Sequence, residues 1–515
     1  MTVHPPLRAA ALGVALALAA PAGADVWVLE PSVGLDQRFD DNYSLDPFNP
    51  DEVSATRAVG ELGLSRESQT ASVRGLLRAD LLLTRAGEED GGNDLESNQI
   101  AGIETRFGTR RTRYGVDLGF KQDTPSRDIA GDLVVGESVA TDTGTVDQEN
   151  DVARRRFTIS PTLVHELSRR TSLEGRVTYT DVRHDTADPD DLIYEQYLAL
   201  LNNPNLPPER FDELTNGTGE PLPPGEVTIE TTGPFTPTGE LDDFREVELE
   251  AGVRYKLSPI VTLSATVATS RYVAEVEPDP RAFVPFEDLV SDGAERDIRR
   301  KPRRESVSET SSLRLGYDRA LSPTLAVGLQ AGLYVNRTDD NDTLRIEDRP
   351  PDEIFASPED AAFVQGQFDE RFGTLESSEN GWLANVTLRK DAGLTRYVGR
   401  FAVDVQPSSA GSQVETQELI GEVFREINPL LDLSLRARAY EPDRLGAKPD
   451  DEFARRFISV EPRVAWRFAR DWEAGASYRY RRQKSRAVAE SADSNALLFF
   501  LRWTAPSRVR DLEGG

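Results

Sequence analysis

Residues 247–255 place Val247, Leu249, Ala251, Val253 and Tyr255 at every second position, with Glu248, Glu250, Gly252 and Arg254 between them. After a break at 256–259 the alternation resumes, with Val261, Leu263, Ala265 and Val267 on one parity and Thr262, Ser264 and Thr266 on the other. Successive side chains of a strand point to opposite faces, so this stretch is a β-hairpin with one apolar and one polar face. A soluble sandwich and a membrane barrel both use such hairpins. What separates them is how many there are and how they are joined.

The pattern recurs along the whole chain, with about 18 strand centres from Val33 to Phe499. Tight connections sit at 167–171, 257–260, 321–324, 390–395, 428–429 and 469–471, and several read Leu-Ser. Long polar loops occupy 123–151, 185–243, 277–305 and 338–380. Short and long connections alternate, and an even strand number puts both termini on the short-turn side. Sorting of loops by length marks an outer-membrane barrel, with short periplasmic turns, long extracellular loops and strands that are apolar outside and polar inside. The predicted fold is therefore all-β, a single closed antiparallel barrel over residues 25–503, followed by a periplasmic tail at 504–515. Trp27, Tyr114, Tyr255, Tyr317, Tyr397, Trp466, Trp472 and Trp503 lie towards the short-turn ends, where an interfacial girdle belongs.

Composition enters by exclusion. Among 515 residues there is no Cys, which removes disulfides and thiolate metal sites. A formal charge of −29 argues against nucleic acid, whose phosphates need a basic face. Residues 1–24 read as a signal peptide, with Arg8, an apolar core at 9–20 and Ala22-Gly23-Ala24 before the cleavage point.

The polar parity carries the candidate functional residues. Lumen-lining candidates are Arg74, Arg78, Asp117, Arg176, Glu246, Glu248, Glu250, Arg254, Arg314, Arg389, Arg436, Arg438, Arg463 and Arg479. Charges facing inward must be hydrated or paired. They either set the field of a water-filled pore or form cross-strand ion pairs that stiffen the wall. A basic cluster, Arg299, Arg300, Lys301, Arg303 and Arg304, closes the 277–305 loop and suits phosphate-bearing headgroups or an anionic polymer. Helical spacing at 190–201, and a capped start at Ser357-Pro358, predict short helices inside two loops.

Catalysis finds little support. His4 leaves with the signal peptide, and His165 and His184 fall at opposite ends of neighbouring strands, so no Ser-His-Asp set can be assembled. No phosphate loop or zinc motif is present, and no cofactor is called for.

The stretches EPSVGLDQRFDDN (30–42) and ISPTLVHELSRRTSLEGRVTYTDVRHD (159–185) resemble the outer-membrane β-barrel porins found with exopolysaccharide and exosortase gene clusters. The resemblance implies polymer export and contact with export-machinery proteins. Two readings stand from sequence. One is a porin-like barrel passing a solute or polymer, with outer-membrane lipids and lipopolysaccharide around it. The other is a structural or adhesive barrel with a closed lumen and working loops.

Overall fold

The computed structural model describes residues 26–42, 52–68, 70–86, 93–123, 154–184, 243–276, 300–346, 375–407, 413–444, 455–485, 491–506 and 508–511. The predicted signal peptide, the two predicted loop helices and Arg299 lie outside the described residues.

Every described element is a strand. The first nine are β1 (Val26–Asp40), β2 (Val53–Glu67), β3 (Ala71–Ala86), β4 (Asn93–Gly108), β5 (Thr112–Asp123), β6 (Arg154–Glu166), β7 (Thr171–His184), β8 (Asp243–Ser258) and β9 (Val261–Val276). The next six are β10 (Arg300–Ser322), β11 (Leu325–Ile346), β12 (Leu375–Ala392), β13 (Thr395–Pro407), β14 (Gln413–Asn428) and β15 (Leu431–Arg444). The last are β16 (Arg455–Ala469), β17 (Trp472–Ser485), β18 (Ser491–Thr504) and β19 (Arg508–Asp511).

Each strand from β1 to β17 pairs antiparallel with the next, and β1 closes the ring on β18 with Val33 opposite Trp503 and Phe39 opposite Leu497. The short β19 pairs with Val26–Leu29, continuing the edge that β18 presents to β1. The wall therefore has 18 staves. Residues 508–511, within the predicted periplasmic tail, thus add to the seam.

The recurrent Leu-Ser turns have a local cause. Ser258, Ser322 and Ser168 each accept, through Oγ, the backbone N–H two residues on, and Asn428 Oδ1 does the same for Leu430 at 2.8 Å. This side-chain mimic of a backbone turn lets the chain reverse within two residues.

The outer surface is apolar across the whole ring. Leu249, Val267, Leu315 and Leu333 are 49%, 57%, 60% and 68% exposed, and equivalents occur on nearly every strand. So much exposed apolar area has no place in water, and a sheet without free edges satisfies its own backbone in hydrocarbon. The barrel is an outer-membrane protein. Tyr114, Tyr255, Tyr397, Trp466 and Trp472 are all exposed near short turns, with Phe468 tilted between Trp466 and Trp472 at 5.6 and 6.4 Å.

Two loop boundaries move. Strands β10 and β11 run to 23 and 22 residues, well past the length a bilayer needs. The basic cluster at Arg300, Lys301, Arg303 and Arg304 is thus a strand segment, with Arg304 opposite Asp342 and Lys301 opposite Arg345. Backbone pairing, once registered by the apolar part of a hairpin, continues through polar residues; hydropathy does not mark where it stops.

Candidate functional site

Register carries all fourteen of the lumen-lining candidates onto the inner parity, and all but two of them fall into two populations. The first is ion-paired. Arg78 holds Asp80 at 3.0 Å, and Arg57 contacts the same carboxylate from β2. Asp117 receives Arg106 at 2.6 Å, and Arg254 reaches Glu174 at 3.1 Å. Arg436, Arg438 and Arg479 pair with Glu422, Glu418 and Glu461 at 3.2, 2.8 and 2.8 Å. Arg463 lies 3.5 Å from Glu473 and 4.3 Å from the centre of the Phe500 ring. Gly475 makes room for that ring, since a Cβ there would run into it. Arg389 pairs with Asp391 at 3.2 Å near the short turn. Arg74, opposite Glu104, and Arg176, opposite Glu250, belong to neither population: Glu104 lies 3.1 Å from Arg106 instead, and among the described residues Arg74 and Arg176 make no ion pair. From β14 to β17 the wall is a ladder whose charges cancel locally, as cross-strand pairing predicts.

The second population is an acidic file. Glu246, Glu248 and Glu250 project inward from β8 with about 7 Å between successive residues. Among the described residues none of the three makes an ion pair. Their cross-strand neighbours are Thr180 and Tyr272, Thr178 and Ser270, and Arg176 and Ala268 respectively. Hydroxyl and amide side chains dominate the inner face around them: Thr158 and Ser160 on β6, Thr310 and Ser312 on β10, Gln330 and Asn336 on β11. The lumen thus has an ionic half and a hydroxyl-lined, acidic half.

The outer mouth holds a feature the alternation does not disclose. Pairing of β12 with β13 stops at Ala384–Val403, although β12 continues along β11 to Leu375. Pairing of β15 with β16 stops at Tyr440–Phe457, although β15 continues along β14 to Arg444. Between these breaks the outer ends of β13, β14 and β15 form a three-stranded flap that folds into the barrel. Gln413 and Glu415, on the parity that faces lipid lower down β14, turn onto the inner face of the opposing wall. Gln413 accepts hydrogen bonds from Thr310 and Ser308, and the Tyr334 hydroxyl donates to Glu415 at 2.8 Å. Arg314 donates to Asp404 at 2.9 Å, bridging β10 to β13. Gly381 allows the Tyr334 ring to lie flat against β12, where any Cβ would meet it.

The wall is therefore double at the outer mouth, and its inner surface there is dry. Ser306, Ser308, Val182, Tyr272 and Ala274 retain at most 1% exposure, and the Phe244 and Tyr272 rings meet at 5.1 Å. On the short-turn side the inner charges are wet. Arg113, Arg389 and Arg254 side chains are 61%, 60% and 49% exposed. Where the two zones meet, a chamber of about 340 Å³ lies between the flap and β6–β12. Glu246, Glu248, Asp404, Arg156 and Arg314 supply its charges, Thr158, Thr180, Ser270, Thr310 and Ser312 its aliphatic hydroxyls, and Phe244 and Tyr334 its rings; Asp404–Gln406 of the flap close one side. This chamber is the candidate site. Arg436, Arg438, Arg463 and Arg479 belong to the ionic half and do not line it.

The two histidines stand at opposite ends of the β6–β7 hairpin, His165 with the Thr112 hydroxyl at 2.9 Å and His184 beside Asp243 at 3.7 Å.

No family model matches the chain, and no curated protein matches it. Solved structures do. OccK9 (OpdG) of Pseudomonas aeruginosa shares 12% identity over 93% of this chain and 98% of that chain, with a TM-score of 0.38. The outer membrane protein OpdK of Pseudomonas aeruginosa shares 8% over 93% and 99%, with a TM-score of 0.36. The outer membrane channel DcaP of Acinetobacter baumannii shares 11% over 94% and 98%, again at 0.36.

Proposed function

We propose that this barrel is a porin-like channel for small, hydroxyl-bearing solutes, passing cations in preference to anions, with the flap setting its bore. The chamber carries this reading. Its volume falls at the small-ligand end of binding sites, and its lining combines two carboxylates outside any ion pair, the Arg314–Asp404 pair and Arg156 with five Ser and Thr hydroxyls and two aromatic rings, three acids to two bases. Hydroxyls and carboxylates exchange hydrogen bonds with a polyol at little loss relative to water, which suits transit better than capture. Carboxylates aligned along the path favour cations, as acidic rings do in channels.

Ion selectivity tests the reading. In planar bilayers under a KCl gradient, the reversal potential should show cation preference, and Glu246→Gln with Glu248→Gln should reduce it. Anion preference in the unmodified barrel would overturn the proposal.

Export of a polymer, the finer reading implied by the resemblance, needs the flap to leave the lumen, because a chain cannot thread a chamber closed on the flap side. Loss of extracellular polysaccharide in a strain lacking the protein, restored by the intact gene, would favour it. A closed barrel is supported by the dry outer mouth around Ser308 and Tyr272. Absence of any conductance, even after removal of residues 404–417, would establish that alternative.

A further inference from the structure

The short-turn rim, which faces the periplasm, carries a basic patch that passage through the lumen does not use. Three neighbouring connections build it: 109–111 between β4 and β5, 167–170 between β6 and β7, and 256–260 at the β8–β9 reversal. Arg110 and Arg111 stand on the first, Arg169 and Arg170 on the second, and Lys256 on the third. Backbone bonds tie the three together. The Glu166 N–H donates to the Arg111 carbonyl at 2.7 Å, and the Lys256 N–H to the Arg170 carbonyl at 2.7 Å. The first two turns are also closed from within: Thr109 Oγ1 accepts the N–H groups of Arg111 and Thr112, and Ser168 Oγ those of Arg170 and Thr171. The backbone that presents these cations is thus fixed by its own hydrogen bonds.

Four properties point to a partner. First, all five cations are exposed, and among the described residues none of them makes an ion pair. Glu166 is the one acid on these connections, and Arg113 holds it at 3.3 Å. Crowded like charges repel in the free barrel, and an anionic partner relieves them. Second, the patch is local. In a chain of net charge −29, residues 322–324 and 428–430 carry no charge at all, Asp471 follows Arg470, and Asp391 pairs with Arg389. Third, apolar side chains lie among the cations: Leu167, Leu257 and Ile260 are 57%, 54% and 51% exposed. Arginine interleaved with apolar groups is the make-up of a surface that binds protein. Fourth, the β4–β5 tip stands about 7 Å past Tyr114, and aromatic residues of that kind sit at headgroup level. The tip therefore reaches the aqueous side of the headgroups.

We propose that this patch docks an acidic segment of a periplasmic protein, with its carboxylates on the two arginine pairs and its apolar side chains on Leu167, Leu257 and Ile260. Guanidinium groups take carboxylates two hydrogen bonds at a time. The two arginine turns are two strands apart, about 10 Å. Two turns of α-helix rise about 11 Å, so one helical face with acids at that interval meets both pairs. A carboxylate-bearing glycan leaves the leucines uncovered, and lipid phosphates lie a step above the tip. The site is separate from the chamber and independent of what passes through the lumen.

The test is fluorescence anisotropy of a labelled peptide on the purified full-length barrel in nanodiscs of zwitterionic lipid. The probe is a short helical peptide with glutamate and leucine on one face; a second version has serine for every leucine. The glutamate–leucine peptide should bind best. Arg110→Gln, Arg111→Gln, Arg169→Gln and Arg170→Gln together should weaken it about tenfold or more, and Leu167→Ser with Leu257→Ser about tenfold. Arg425→Gln with Arg470→Gln, across the rim, should leave it unchanged. Equal binding of the serine version reduces the patch to bare charge and overturns the protein partner. Loss of peptide binding when phosphatidylglycerol is added to the nanodisc assigns the patch to lipid phosphate, and displacement by soluble peptidoglycan fragments assigns it to glycan; either overturns the proposal. Should the arginine variant fail to fold, raising salt on the unmodified barrel replaces it: binding that does not fall with salt defeats the proposal.

Discussion

Replacing Asp404 by Asn removes one charge from the Arg314–Asp404 bridge while keeping an acceptor, and so isolates what the ion pair contributes to holding the flap. A charge-assisted hydrogen bond is worth about 1.5–3 kcal/mol when shielded. Here the two side chains are 35% and 30% exposed, and the 2.9 Å bridge borders a hydrated chamber, so solvent screening lowers its worth to about 1 kcal/mol. Since 1.4 kcal/mol is tenfold, the ratio of folded-in to folded-out flap should fall about fivefold. The remaining anchors, Gln413 on Thr310 and Ser308, and Glu415 on Tyr334, keep the folded-in state dominant. Single-channel recording reads the ratio as dwell times in low- and high-conductance levels. Arg314→Gln should give a similar shift, and the double variant should be no worse than either single, returning a coupling of about 1 kcal/mol. Unchanged dwell ratios in both singles, with the barrel folded, would refute the flap as the element that sets the bore. So would an equal shift from Arg438→Gln, which breaks a pair in the ionic half.

The facing of the strands predicts opposite outcomes for neighbouring positions: Val267→Arg, on the lipid face, should cost assembly about 2–4 kcal/mol in refolding titrations, whereas Glu248→Gln should leave assembly intact. The seam predicts a larger loss. Asp40 receives Arg481 at 2.8 Å and Ser494 at 2.6 Å and also contacts Arg38, with its side chain fully covered, so Asp40→Ala removes the one carboxylate that two buried guanidinium groups share, at about 3 kcal/mol, and should lower the temperature at which the barrel unfolds in gel-shift assays. Gly475→Val should reduce folded yield, because its Cβ would meet both the Val464 carbonyl oxygen and the Phe500 ring.

The wall was legible in the sequence because the bilayer enforces a period of two on every strand, and hairpins such as 247–267 repeat it without interruption. The Leu-Ser turns were legible for a similar reason: a hydroxyl placed to catch the next free N–H is a local signal. Ion pairing was not. Nothing near Arg436 in the chain names Glu422 as its partner, since that depends on which residues register brings opposite. The flap was missed because alternation tells one face from the other and says nothing about which layer a face meets. A signal was present nonetheless. Gln413, Glu415 and Gln417 occupy the parity that holds Leu419 and Val423 lower on β14, and three polar residues in lipid-facing positions contradict a strand still in the wall. The basic segment at 300–304 misled in the reverse direction, because charge was equated with loop.

The height of the break between β12 and β13 ties the flap to the membrane. Above Ala384 one edge of β12 has no strand partner among the described residues, and an unpaired backbone group in hydrocarbon costs several kcal/mol. Such an edge is tolerable only at or beyond the interface. Trp382, 51% exposed on the outer face next to the break, is the residue type that settles at that depth. On the β14 side the last lipid-facing apolar residue is Leu419, 56% exposed, and the flap begins within two residues of it. Apolar band, ladder break and change to polar residues thus coincide at one level. The flap begins where hydrocarbon ends because only there can three strands leave the wall without stranding their neighbours' backbone. It follows that the bore cannot be set deeper in the membrane by this device. Extending the apolar parity of β14 upward, with Gln417→Leu and Glu415→Leu, should instead draw the flap back into the wall and raise conductance. Unchanged conductance in that folded variant would show that the flap is held by its lumen contacts alone.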